Sequence, residues 1–269
     1  MYVSHCDALA CRFEQGILHL TLNRPDCGNL LNYAVLIELR DILRQVPGDD
    51  EVRAVVLDGA GEHFCCGDAW PDMGDWPEEY ASRRPGGPHG AAPLPEQDAI
   101  CALRDLMKPT IALMRGETMG LGLDLAAVCD LRIATPDARI GDPRILQGRA
   151  AATGITYLMP RLIGLSQANR ILLTGEVLSG EEAHRIQLVH KLLSSADFEA
   201  EATAVVKAIA RLPTRAWEVH KLQVIPQLDM SFDASLTHCL GVRQTHVIED
   251  RREGMQAWLE RRQPEFKGR

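Results

Sequence analysis

Two glycine-punctuated segments carry the residues best placed to do chemistry. Residues 59–70 read GAGEHFCCGDAW, and residues 115–130 read RGETMGLGLDLAAVCD. Each follows an apolar run with the character of a buried strand, and each is expected to lead into a helix. A chain that turns sharply after a strand leaves N–H groups unpaired at the helix start, where they bind anionic oxygen. Two such groups aimed at one point form an oxyanion hole, which stabilises an enolate or a tetrahedral oxyanion. Neither segment is a dinucleotide fingerprint: Gly120-Leu121-Gly122 has no third glycine three residues on, and Gly59-Ala60-Gly61 is followed by Phe64 at that place.

These segments need strands and helices to hold them. Residues 17–22 (ILHLTL) alternate apolar and polar and predict a strand. The breaker-rich loop NRPDCGN follows. Leu36, Leu39, Ile42, Leu43 and Val46 then recur at helical spacing and predict an amphipathic helix over 33–45. Residues 52–57, 110–114 and 131–134 predict further strands. Strands alternating with helices give a βαβ arrangement with a mostly parallel sheet, an α/β fold. From about residue 153 the pattern is almost wholly helical, with one short strand at 189–192 and an amphipathic helix marked by Phe198, Ala202, Val205, Val206 and Ile209. Residues 71–95 are rich in proline and glycine and read as a long loop with at most a short helix near 78–82, a candidate lid.

The bulk properties narrow the partners. A chain of 269 residues, 46% hydrophobic and 25% charged, suits a globular protein with a large core. Its net charge of −8 argues against non-specific binding to nucleic acid or to an anionic membrane surface. No apolar run reaches the length of a membrane span, and the N-terminus lacks the pattern of a signal peptide, so a cytoplasmic location is expected. The eight cysteines form no C-x-x-C pair, so no metal site is expected, and they read as thiols of a reducing compartment.

Six motifs stand in order along the chain: LNRPDCGNLLN, GAGEHFCCGDAW, KPTIALMRGETMGLGLDLAAVCD, ARIGDPRI, LTGEVLSGEEAHRIQLVHKLL and a closing RRQPEFKG. Together they resemble the enoyl-CoA hydratase/isomerase (crotonase) superfamily over residues 17–267. The resemblance implies a crotonase (ClpP-like) fold: repeated ββα units in a core over residues 1–195, which carries the active site and the 71–95 lid, then a helical region over 196–269. It implies an acyl-CoA substrate with no cofactor besides the coenzyme A it carries, a place in fatty acid metabolism, and a homotrimer or dimer of trimers. It assigns the two oxyanion-hole N–H groups to Asp68 and Leu121, and puts Ala69, Trp70 and Gly120 beside the bound thioester.

Asp124 lies three residues after Leu121, a spacing that puts both on one side of a helix. It stands where hydratases of the resembled family carry the first of two catalytic glutamates. Arg144 stands where they carry the second. A guanidinium is never a general acid near neutrality, and water addition needs one water oriented and one proton delivered, a task suited to two carboxylates. Arg144 is read either as a ligand for a substrate carboxylate or as a partner of Asp124 or Asp142. Asp142 is read either as an acid for carbon–carbon cleavage or as a turn cap. Cys27 stands where relatives often carry a cation for the coenzyme A phosphates, leaving Arg24 and Lys267 as phosphate candidates. His63, His89 and His184 can titrate near neutrality, and Trp70, Trp76 and Tyr80 either line the acyl pocket or pack the lid.

Three functions follow. The first is an enolate-stabilising acyl-CoA enzyme with Asp124 as acid and base, doing isomerase- or lyase-type chemistry rather than efficient hydration. The second is hydrolysis of a carbon–carbon bond in a β-dicarbonyl substrate with Asp142 involved. The third is a catalytically weak acyl-CoA binding protein, favoured if Arg144 locks Asp124 away from the pocket.

Overall fold

The computed structural model describes residues 2–83, 94–227 and 229–269. Strand β1 (Leu9–Glu14) hairpins into β2 (Ile17–Leu22), and α1 (Tyr33–Gln45) leads to β3 (Ala54–Gly59). Helix α2 (Pro95–Arg104) precedes β4 (Thr110–Met114), which runs on across Gly116 into β5 (Glu117–Met119) and then α3 (Leu121–Val128). The same pattern repeats with β6 (Leu131–Ala134), β7 (Arg139–Gly141) and α4 (Ile155–Leu172). After β8 (Val177–Ser179), α5 (Gly180–Arg185) and β9 (Lys191–Leu192), helices α6 (Phe198–Ala210), α7 (Thr214–Gln227), α8 (Phe232–Thr245) and α9 (Asp250–Glu260) complete the chain.

Six strands form one sheet in the order β1-β2-β3-β4-β6-β9. Only the β1–β2 pair is antiparallel; Leu20 faces Leu57, Leu57 faces Ala112, and Ala112 faces Arg132 in parallel register. The short strands β5, β7 and β8 form a second sheet. The units β4-β5-α3 and β6-β7-α4 each give one strand to each sheet, repeats of the ββα kind that the resemblance implied. One face of the large sheet is covered by α1, whose buried Val35, Leu36, Leu39, Ile42 and Leu43 join Leu18, Leu20, Val55 and Leu57. On the other face Phe198, Ala202, Val206 and Ile209 of α6 pack on Ile17, Val56, Ile111 and Ile133. The Asn32 side chain accepts from the Val35 N–H and caps α1, whose start at Tyr33 is the predicted one.

Three local expectations change. The first glycine segment does not lead into a helix. Residues 65–69 run extended: Cys65 pairs with Thr118 and Asp68 with Leu31 as isolated parallel bridges. The strand expected at 52–57 starts at Ala54, because Arg53 and Ala54 first pair with the Gly16 carbonyl in the β1–β2 turn. The short strand expected at 189–192 is confined to Lys191–Leu192, and β8 adds a strand that its three residues are too few to announce. The short helix expected near 78–82 is present as a 3-10 turn over Glu78–Arg83, and Pro95 opens α2. His89 and the rest of 84–93 lie outside the described residues. Among the described residues no helix is long and apolar enough to cross a membrane.

Candidate active site

The two backbone turns meet as the chemistry requires, by different means. Leu121 is the first residue of α3, so its N–H is among the first-turn donors that have no intrahelical acceptor. Gly120 before it has φ +49°, a left-handed backbone that glycine adopts without strain. At the other turn the Gly67 carbonyl accepts from the Leu31 N–H, and the Ala69 N–H donates to the Leu31 carbonyl. A trans peptide points its C=O and N–H opposite ways. The Asp68 N–H is therefore aimed away from Leu31, toward the side where Cys65 pairs with β5 and the chain enters α3. Gly122 allows the two parts to approach: a Cβ there would fall 2.6 Å from both the Cβ and the carbonyl oxygen of Cys65.

Asp68 and Leu121 line one cavity of about 110 Å³, with Tyr33, Trp70, Met73, Glu96, Arg144, Arg149, Ala150, Ala152 and Thr153. Trp70 is largely exposed, and the Arg149 guanidinium lies 5.3 Å from its ring centre. The Arg149 Nη2 also donates to both Asp68 carboxylate oxygens at 2.9 Å. The Asp68 carboxylate is thereby ion-paired while its N–H remains available.

Behind the cavity lies a buried ion cluster. The Arg144 Nη1 and Nη2 donate to the two Asp124 oxygens at 2.8 Å. Its Nε and Nη2 donate to the two Asp142 oxygens at 2.7 Å. The three side chains are 7%, 1% and 5% exposed. The Thr153 hydroxyl also donates to Asp124. Burial pushes the Asp124 carboxyl above its ordinary value, against the pull of Arg144 and Thr153. Asp142 caps the 3-10 turn Pro143–Gln147, its carboxylate accepting from the Arg144 N–H at 3.2 Å.

Of the alternatives for Arg144, the structure shows the ion pair, made with both aspartates at once. The expectation that the Asp124 carboxylate faces the thioester pocket is corrected: it is buried, held by three donors, and absent from the cavity wall. Arg144 takes its place at the wall. Arg24 donates to the Leu30 carbonyl and, with Cys27 on the adjoining 3-10 turn, sits beside the extended segment rather than in the cavity. The Ala69 backbone fixes that segment to Leu31. Lys267 is exposed on the C-terminal tail, in a surface cleft with Asp250 and Glu253, and is not brought to the cavity in one chain. Among the histidines, His63 accepts from the Glu117 N–H and His184 bonds the Val189 carbonyl, both fixing local backbone. Tyr80 is buried against Arg40 and Asp98, and the Trp76 ring N–H donates to the Tyr80 carbonyl.

Arg149, Thr153 and Glu96 are among the cavity residues that escaped sequence reasoning. Arg149 and Thr153 follow the ARIGDPRI motif with no pattern of their own. Glu96 stands one residue past the 71–95 stretch read as loop and was assigned to no element, although Pro95 followed by Ala99, Ile100 and Leu103 at helical spacing is a legible helix start.

Comparison with known proteins agrees with this geometry. The family model described as enoyl-CoA hydratase/isomerase matches residues 12–269. The chain is 34% identical to the (E)-benzylidenesuccinyl-CoA hydratase of Thauera aromatica, over 94% of this chain and 96% of that protein. It is 31% identical to the 2,3-dehydroadipyl-CoA hydratase of Escherichia coli K12, over 95% and 97%. The crystal structure of an enoyl-CoA hydratase from Bacillus anthracis superposes with a TM-score of 0.86 at 28% identity, covering 97% of this chain and all (100%) of that one. With the ββα repeats and the paired turns, these matches establish that the chain has the crotonase fold and belongs to the enoyl-CoA hydratase/isomerase family.

Proposed function

We propose that this enzyme binds an acyl-CoA thioester with its carbonyl oxygen between the Asp68 and Leu121 N–H groups, and relocates a proton through the enolate this stabilises. Double-bond isomerisation is the simplest reaction of that kind, and a lyase or decarboxylase step shares the same intermediate. One observation carries the reading: Arg144 occupies both Asp124 and Asp142 with four short bonds, while the Asp68 and Leu121 turns face a common cavity. Hydration of an enoyl thioester needs a base to orient water and an acid to protonate the α carbon. A carboxylate pair bound edge-on to a guanidinium is poor at both. Backbone donors aimed at a developing oxyanion keep their effect, typically worth 10²–10³ in rate or about 3–4 kcal/mol per donor.

The relatives' names describe hydratases acting on acyl-CoA substrates, and both named acyl groups, benzylidenesuccinyl and dehydroadipyl, carry a second carboxyl group. Arg149 at the cavity wall supports including dicarboxylic thioesters among the substrates to try. The test is a panel of 2-enoyl, 3-enoyl, aryl and dicarboxylic acyl-CoA thioesters followed by mass spectrometry for gain of water and by ultraviolet absorbance for conjugation of the double bond with the thioester. Migration of the double bond without mass change is expected; rapid gain of water on the 2-enoyl thioesters would overturn the reading.

The locked Asp124 also supports a second reading, an acyl-CoA binding protein of little turnover. It predicts saturable thioester binding with no chemical change anywhere in the panel. On either reading we propose a trimer or a dimer of trimers, supported by Phe232, Val247 and Trp258, each more than three-quarters exposed on the C-terminal region of a single chain.

A further inference from the structure

With both aspartates committed to Arg144, the cavity still contains a carboxylate with an unused oxygen. Glu96 stands in the first turn of α2 and lines the cavity with Asp68 and Leu121. Its Oε2 is buried and has no hydrogen-bond partner among the described residues. The other carboxylate at the cavity wall, Asp68, is bound twice by Arg149. A buried carboxylate oxygen left without a donor costs stability, and such unmet groups in folded proteins call for a reason.

The surroundings show that Glu96 is held in place. Gln97 accepts from the Leu94 N–H at 2.9 Å and donates to the Ala152 carbonyl at 2.6 Å, tying the start of α2 to a loop whose Ala150, Ala152 and Thr153 line the same cavity. Asp98 accepts from the Tyr80 hydroxyl at 2.6 Å. Both polar neighbours of Glu96 in the chain are thus used to fix the helix, and Glu96 alone of the three leaves an oxygen free in the pocket. Burial, reinforced by the nearby Asp68 charge, pushes its carboxyl above the ordinary glutamate value, against the pull of its own backbone N–H. That is the direction a general base near neutrality requires.

We propose that Glu96 is the catalytic acid–base of this enzyme, taking a proton from the α carbon of the thioester and returning it to the carbon chain. The inference rests on the acyl-CoA reading above. In the isomerisation of a 3-enoyl thioester, the Glu96 carboxylate removes the α proton. The C–H electron pair moves into the Cα–C bond, and the thioester carbonyl pair moves onto oxygen between the two N–H groups. The dienolate then collapses: the oxygen pair re-forms C=O, the double bond shifts to Cα=Cβ, and the γ carbon takes the proton back from the Glu96 carboxyl. One carboxyl suffices, and no oxidant, water or second acid enters the balance.

The experiment is α-proton exchange in deuterium oxide with butyryl-CoA, phenylacetyl-CoA and glutaryl-CoA, read by mass spectrometry, with thioester binding measured in parallel by calorimetry. Wild type is expected to bind and to exchange. Glu96→Gln, which keeps the shape and the backbone contact, is expected to bind with unchanged affinity and to exchange roughly 10²–10⁴-fold more slowly, with Glu96→Asp recovering part of the rate. Exchange by Glu96→Gln at the wild-type rate overturns the assignment and leaves the enolate reading standing. Binding by wild type without exchange of any of the three overturns both.

Discussion

Replacing Arg144 by methionine isolates the energetics of the buried cluster. Methionine follows the aliphatic part of the side chain and removes the guanidinium. It leaves Asp124 and Asp142, 1% and 5% exposed, without the cation that donates two bonds to each. Removing one partner of a buried ion pair typically costs about 3–5 kcal/mol, because the remaining charge is buried unpaired. At roughly 2–4 °C per kcal/mol for a chain of about this length, the melting temperature at pH 7 should fall by roughly 6–20 °C. The pH dependence gives the sign a second check. Burial already pushes Asp124 up in the wild type, with Arg144 as the largest opposing pull. Without Arg144 the Asp124 carboxyl rises further above its unfolded value. A raised carboxyl leaves the folded state unpenalised below the ordinary aspartate value of about 3.9 and penalised as pH rises through the folded value. The gap between variant and wild type should therefore narrow as pH falls from 7 toward 4. Adding Asp124→Asn and Asp142→Asn to the variant should recover most of the loss, since neutral groups do not require the guanidinium. Thermal denaturation followed by circular dichroism reads all three. A melting temperature within roughly 2 °C of wild type at pH 7, or a gap that does not change with pH, would refute the cluster as described.

Three further outcomes are expected. Gly122→Ala places a Cβ 2.6 Å from the Cys65 Cβ and carbonyl oxygen, so α3 must move from the extended segment; overpacking of this kind costs about 1–3 kcal/mol, and the displaced Leu121 N–H should lower kcat/KM for α-proton exchange about 10²-fold, visible in denaturation and exchange assays. The pH profile of exchange should have an acid limb above the ordinary glutamate value. Glu96 must be ionised to accept a proton, burial raises its pKa, and the Asp68, Tyr33, Arg144 and Arg149 side chains share its cavity; a rate flat with pH down to the ordinary value would contradict this. Native mass measurement should give three or six copies of the 29.7 kDa chain, and a monomer would remove the assembly proposal.

Much of this was legible in the sequence because the signals were local. The α1 boundaries, the strands at 17–22, 110–114 and 131–134, and the glycine turn before Leu121 are set by apolar spacing and backbone freedom within a few residues. The pairing of Asp68 with Leu31 was not legible, since it depends on two segments more than thirty residues apart meeting edge to edge. The same holds for the ion cluster. Helical spacing placed Asp124 toward Leu121, yet its partner came from a 3-10 turn twenty residues on, and a guanidinium that satisfies two buried carboxylates outweighs the side a helix wheel assigns. Glu96 was hidden for another reason. The proline and glycine count of 71–95 suggested continuous loop, and the helix that begins at Pro95 borders that stretch.

The measurement closest to the centre of the account is the infrared carbonyl stretch of isotope-labelled butyryl-CoA bound to the enzyme. Two N–H groups at the thioester oxygen polarise the C=O bond. The stretch should fall to lower frequency on binding to wild type and return toward the free value in Gly122→Ala. A bound thioester whose carbonyl stretch matches that of free thioester in water would contradict the oxyanion hole at Asp68 and Leu121.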